Sequence, residues 1–583
     1  MELSHELAQA IWSPCFVLQY PHLRTQYCQI SPVGWEASGL NPRNRVNALY
    51  SRGALRWRID GGTYGTRFFA APLNISVVPP LRIDIFIPDV PDIPRALRDS
   101  LDASSGVPLR KSDVAKTSIA GHVCRALDMY CEDNPSFLSN YLKLPFGSSI
   151  VFENISSNLA DINITVVPNY HLERKASSLK TLQNAWRDIL SPEQWPLTID
   201  VMDLSLVKYL HDTVALVRIP ESVLATSDGL AVFKHNTEDF EDLLHELKFL
   251  LGMPPHPNII PRPLAVVTKK SNFGGKQAIL GFILPYFELG SLREILPSRR
   301  ASGNLNNSQQ LSWCREITSA LIHICNIGAF YSDLRPDNVL VSVENRDRGT
   351  AESAVLCDFE QRGNWYEWCP PEVLYAQYAE NMRKSEHSID AKRTWDDLLT
   401  YSLASHGRAA SRNRAWSSMS PEAQEKAMVY CLGLFIYCVF EGQSNICGNK
   451  ANQFTYEPDL EFPAFKHTPQ CIQTIINECM HVDMHVRAEQ VGLESNKGVF
   501  RRVEPLHRVG GLLYPNGTTD RERDTADTAC EVLDAAFISW ERELKSAKEF
   551  LGRGHDFITG IGKGRPKLEE VLDRLLAVEL LQY

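Results

Sequence analysis

Asp333 is followed five residues later by Asn338, and Asp358 comes after two apolar runs that read as a β-hairpin. The whole stretch, residues 331–375, is YSDLRPDNVLVSVENRDRGTAESAVLCDFEQRGNWYEWCPPEVLY. Transfer of a phosphoryl group from ATP needs this set of side chains: a carboxylate to orient the attacking hydroxyl, and an amide with a second carboxylate on Mg²⁺. On that chemistry Asp333 receives or orients the hydroxyl proton, while Asn338 and Asp358 hold the metal.

Such groups work only if other elements present the nucleotide to them. SLVKYL, VALVRI and GLAVFK read as three short strands, with Lys234 at the end of the third. EDFEDLLHELKFLLG follows, carries Glu246, and leads into His256-Pro257-Asn258-Ile259-Ile260. AILGFILPYFELGSLREIL then reads as strand, turn and helix.

In this order and spacing the motifs resemble those of protein kinases, HPNII and the PPE of Pro370 to Glu372 most specifically. The resemblance implies ATP and Mg²⁺ as cofactors, with Lys234 on the α/β-phosphates and paired to Glu246. It makes Leu284 the gatekeeper and Pro285 to Phe287 the hinge. Proline has no N–H, but the first hinge position offers adenine a carbonyl, and the N–H of Phe287 remains for the base. Arg335 stands where serine/threonine kinases carry a lysine that steadies the transferred phosphate, keeping the charge in a bidentate fork. The glutamate of PPE, Glu372, is expected in a buried ion pair with a later arginine, and both Arg487 and Arg565 fit by spacing. DFEQRGNWYEW with PPE also looks like the divergent kinase-domain proteins of filamentous fungi.

Several positions depart from the pattern. Tyr331-Ser332 replace His-Arg, and the missing arginine is the one that reads a phosphate on the activation segment. Glu360 replaces a glycine, removing backbone freedom and adding charge beside the metal. Met428 replaces the aspartate that braces the catalytic loop. The glycine-rich phosphate loop is missing: its segment is KYLHDTVALVRI, with Asp212 where an anion would be unwelcome.

The expected fold class is α+β, a two-lobed kinase-like fold behind an N-terminal α+β region. Residues 1–200 form that region, with strand patterns at Leu81 to Ile87 and Asn163 to Pro168 and a helix at Leu179 to Leu190. DGGTYGTRFF (Asp60 to Phe69) is read as a hairpin turn and not as a phosphate loop. The kinase-like part is 201–500, with a small lobe over about 204–287, a large lobe from 288 and an insertion at 375–426. A helical region, 501–583, has a long helix at Thr525 to Leu551 and a last one from Pro566, and is able to complete the large lobe.

A net charge of −10 argues against nucleic acid or an anionic membrane as partner. Short basic clusters such as Arg299-Arg300 are read as solvated loops. The longest apolar run, Met428 to Phe440, is too short to span a bilayer and reads as a buried helix. The first residues lack a signal-peptide pattern, and the 14 cysteines form no CxxC pair, as expected of an intracellular chain with reduced thiols. Three functions fit: a serine/threonine-type protein kinase acting on an unknown protein, a pseudokinase scaffold binding nucleotide weakly or not at all, and a small-molecule kinase resembling aminoglycoside or choline phosphotransferases.

Overall fold

A computed structural model of the chain describes residues 56–63, 67–73, 84–86 and 118–153, then 159–361 apart from a few short breaks. It further describes 364, 368–370, 372–373, 416–446 (except 418), 464–481, 494–496, 499–501, 506–509, 512–515 and 562–580. The chain divides into two units. One holds the described residues up to Pro255 together with Pro261–Tyr286, and the other holds His256–Ile260 and the described residues from Phe287 onward.

The first unit contains two sheets. β1 (Trp57–Thr63) and β2 (Arg67–Pro72) pair antiparallel, the pairing expected of the hairpin read at Asp60 to Phe69. β3 (Asp84–Phe86), β4 (Ser149–Phe152) and β5 (Ile164–Val167) complete the strand order β1-β2-β3-β4-β5. β3 and β4 run parallel, which requires a long crossover. Helix α1 (Ser118–Asp133) lies in that crossover and packs Val123 and Leu127 against Trp57, Phe68 and Phe152. A short helix α2 (Leu179–Ala185) starts at Ser178, whose side chain accepts from the Thr181 N–H, and ends before the expected Leu190.

The second sheet has the order β6-β10-β11-β9-β8-β7. Its strands are β6 (Leu197–Asp200), β7 (Ser205–His211), β8 (Val214–Arg218), β9 (Leu230–His235), β10 (Ala265–Lys270) and β11 (Gln277–Pro285). β6 precedes the expected boundary at 201, yet it is the edge strand of this sheet, parallel to β10. β11 is a nearly unbroken apolar run because it is buried between β10 and β9. Gly281 is needed there, since a Cβ would stand 2.0 Å from the Lys234 carbonyl oxygen. Helix α3 (Phe240–Gly252) buries Phe240, Leu243, Leu247, Leu250 and Leu251 on one face, and Glu246 lies on that same face.

The two sheets are joined through β1 and β7. Arg58 Nη2 donates to the Val207 carbonyl at 2.9 Å, and Asp60 Oδ2 accepts from the Tyr209 N–H at 2.9 Å. The N-terminal region therefore grips β7, the edge strand opposite β6 in the second sheet.

The second unit is mostly helical: α4 (Leu292–Ser302), α5 (Asn307–Asn326), a hairpin of β12 (Val339–Arg346) and β13 (Gly349–Leu356), then α6 (Pro421–Glu441), α7 (Gln470–Cys479) and α8 (Leu568–Leu580). α6 is long and apolar enough to cross a membrane, but most of it is buried among its neighbours, as a core helix is. Arg299 and Arg300 correct the expectation of a solvated loop. They close α4, where Arg299 pairs bidentately with Glu352 (2.7 and 2.8 Å) and Arg300 donates to the last carbonyls of α6. α8 packs on α5, with Arg315 donating to the Leu575 carbonyl and Leu568 N–H donating to Glu425. The expected helix at Thr525 to Leu551, Arg487, Asp212 and residues 375–415 of the expected insertion lie outside the described residues.

Candidate active site

Lys234 and Glu246 meet inside the first unit. The lysine is the penultimate residue of β9, opposite Phe282 of β11, and the glutamate comes from the buried face of α3. Nζ lies 2.6 Å from Oε2, and the two side chains are 8% and 1% exposed. Burying either charge alone would be expensive, so each requires the other. Leu284 is buried near the end of β11, and Pro285 ends that strand opposite Ala231. Beyond Tyr286 the chain passes into the second unit at Phe287.

Asp333, Arg335, Asn338 and Asp358 are gathered within the second unit. A single 3₁₀ turn, Pro336–Asn338, with proline at its first position, directs the chain from the loop into β12. Asn338 Nδ2 donates to the Asp333 carbonyl at 2.8 Å and to Asp333 Oδ2 at 2.9 Å. Arg335 Nε stands 3.2 Å from Asp333 Oδ1, and its Nη1 is 3.7 Å from Asp337, which also pairs with Arg293 of α4. The hairpin does the rest. Val339 pairs with Leu356, and Cys357 N–H donates to the Asn338 carbonyl at 2.9 Å, so Asp358 emerges beside Asn338. His256–Ile260 supports β13 from its other side: Asn258 Nδ2 donates to the Ala354 carbonyl and Ile260 N–H to Leu356.

Burial pushes the Asp333 carboxyl up to about 6; Arg335 and the Asn338 bond pull it down, while Asp358 and Asp337 push it higher. A carboxylate so placed is ionised at neutral pH yet basic enough to take a proton. The donor set also suits Mg²⁺. With its amino group turned to Asp333, Asn338 presents its Oδ1, and Asp358 adds carboxylate oxygens, the hard ligands Mg²⁺ favours.

The departures at 331, 332, 360 and 428 have local explanations. Tyr331 is buried, sets its ring edge-on to Phe359 at 5.2 Å, and donates its hydroxyl to the Cys357 carbonyl. Tyr331 N–H donates to Met428 Sδ at 3.2 Å, so the helix that lacks an aspartate still touches the loop. Among the described residues, the non-glycine positions with positive φ are Asp358 (65°) and Gln361 (57°). Glu360 is not one of them, so glycine's backbone freedom is not required at that position. Gln361 is the functional candidate that sequence reasoning missed. Its Oε1 accepts from Ser332 N–H and Oγ–H at 3.0 and 2.9 Å, and its Nε2 donates to the Phe330 carbonyl.

Glu372 pairs with Arg565. The guanidinium reaches both carboxylate oxygens, at 2.6 and 3.1 Å, with the side chains 0% and 2% exposed, and it lies over the Tyr430 ring at 4.9 Å. Where glycines would line a phosphate loop, β7 and β8 are joined by only two residues.

Residues 231–382 match the family model of protein tyrosine and serine/threonine kinases. That span includes Lys234, Glu246, Asp333, Asn338, Asp358 and Glu372, and the chain carries a protein-kinase-like domain of α+β fold. A search of curated proteins found no match.

Proposed function

We propose that the kinase-like domain transfers the γ-phosphoryl group of ATP, with Mg²⁺, to a serine or threonine hydroxyl of a protein. The observation that carries this is the Asp333–Asn338 pair beside Asp358, a base and two metal ligands held by one loop and one hairpin. Asp333 orients the acceptor hydroxyl and takes up its proton. Arg335 neutralises charge on the transferred group, and Lys234, fixed by Glu246, positions the phosphates. Mg²⁺, held by Asn338 and Asp358, would supply charge neutralisation at the phosphates.

A second reading, a pseudokinase scaffold, is favoured by the glycine-free β7–β8 connection. Loss of preorganised N–H donors costs roughly 3–4 kcal/mol in comparable oxyanion sites. Thermal unfolding with and without Mg·ATP separates the two. Nucleotide at a hundredfold over Kd stabilises by about 2.7 kcal/mol, a shift of several degrees that Lys234→Ala and Asp358→Ala should lose. Phosphotransfer to a serine/threonine peptide library then identifies the enzyme. No shift at millimolar nucleotide would leave the scaffold.

A further inference from the structure

We propose that Gln361 is the positioning residue of the catalytic loop. Its side-chain amide, reaching back from the turn after Asp358, fixes residues 330–332 and through them the Asp333 carboxylate. The catalytic consequence rests on the phosphotransfer reading above; the clamp itself does not.

The loop needs a holder. Tyr331 and Ser332 are 1% and 0% exposed, so their N–H groups require partners inside the protein. Neither an arginine before Asp333 nor an aspartate from α6 is present to organise this segment. Met428 Sδ takes the Tyr331 N–H, but a thioether is a weak acceptor. Gln361 uses both ends of its amide. Oε1 accepts from Ser332 N–H and Oγ–H, and Nε2 donates to the Phe330 carbonyl, bracketing Tyr331 on either side. Its own backbone stands at φ 57°, a conformation that non-glycine residues adopt when the surroundings impose it.

Chemistry restricts the residue type. Glutamate at neutral pH has no proton for the Phe330 carbonyl, asparagine is one methylene shorter, and methionine has the length with neither hydrogen bond. The amide is uncharged, so this clamp needs no phosphate on the activation segment. The catalytic loop is set by folding alone.

The test is amide hydrogen exchange over residues 328–334 of the full chain, with kcat and KM for ATP, on wild type, Gln361→Met and Gln361→Glu. Thermal unfolding confirms that each variant is folded. Gln361→Met should expose the Ser332 amide to exchange and lower kcat by about a hundredfold, the scale of a small misplacement of a catalytic group, with KM for ATP nearly unchanged. Gln361→Glu keeps the acceptor for Ser332 but not the donor to the Phe330 carbonyl. It should therefore keep Ser332 protected while kcat falls, and if the methionine variant does not fold, wild-type kcat in the glutamate variant overturns the positioning role. Phosphatase-treated wild type should retain its kcat. Unchanged exchange in Gln361→Met overturns the clamp, and lost protection with wild-type kcat overturns its positioning role. A fall in kcat after phosphatase treatment overturns phosphate independence. If wild type has no turnover at all, the phosphotransfer reading fails separately, and the exchange result alone decides the clamp.

Discussion

In the proposed phosphotransfer, Asp333 has to be a carboxylate when the acceptor hydroxyl arrives, and burial works against that. An ordinary aspartate titrates near 3.9, whereas burial holds this one up to about 6. The protonated form cannot accept a proton, so kcat should fall as pH drops through about 6 and level off above it. Mg²⁺ held by Asn338 and Asp358 would favour the charged form, so raising Mg²⁺ should move this acidic limb downward. A pH–rate profile at two Mg²⁺ concentrations checks both. The same shift has a sign for stability. The folded carboxyl holds its proton more tightly than the unfolded one, so stability declines as pH rises from about 4 to 6 and stays lower above. Asp333→Asn should therefore unfold at a higher temperature than wild type at pH 7.5, while kcat drops by roughly 10²–10⁴-fold. A variant that loses neither turnover nor gains stability would remove Asp333 from the mechanism.

Among the elements, the edge strand β7 is held from outside its own sheet by side chains of β1. Asp60 is almost fully buried and takes the Tyr209 N–H, while Arg58 binds Asp60 and the Val207 carbonyl. Asp60→Ala leaves the Tyr209 N–H buried without this acceptor, at a cost of about 1–3 kcal/mol. Faster amide exchange across residues 205–211, with exchange in α6 unchanged, is the expected outcome. Equal exchange in β7 would show that the grip is not needed. β3 and β5 were legible from two-residue alternation, β7, β8, β9 and β11 as short apolar strands, and α3 with Glu246 from its place before HPNII, whereas β4, β6 and β10 were not read from the sequence. The grip on β7 was not legible. It joins residues separated by 149 positions through side chains on backbone groups, and no periodicity records such a contact. Gln361 escaped for the same reason: its partners, at 330 and 332, are bound through atoms that any residue offers.

At the scale of the whole molecule, the kinase family match ends at residue 382, but the fold does not. Spacing left Arg487 and Arg565 equally able to meet Glu372, because each keeps a different part of the expected pattern. The structure pairs Glu372 with Arg565, 193 residues away, and stacks that guanidinium on Tyr430 of α6. Lys426 adds its ammonium to the Arg565 carbonyl, and Arg565 Nε donates to the His481 carbonyl. The segment before α8 is thereby locked into the centre of the helical unit. Removing one partner of a buried pair leaves a bare charge, which costs about 3–5 kcal/mol. Truncation before residue 562 removes both Arg565 and α8, so the large unit should lose its cooperative unfolding transition. Arg565→Lys keeps a charge but not the two-pronged contact, and should lower the urea midpoint without changing the slope. The double variant Glu372→Gln/Arg565→Lys should lose less stability than the sum of the two single changes, since both report on one pair. Strict additivity, or a truncated chain that unfolds like the full one, would mean that the kinase-like unit closes without its C-terminal segment.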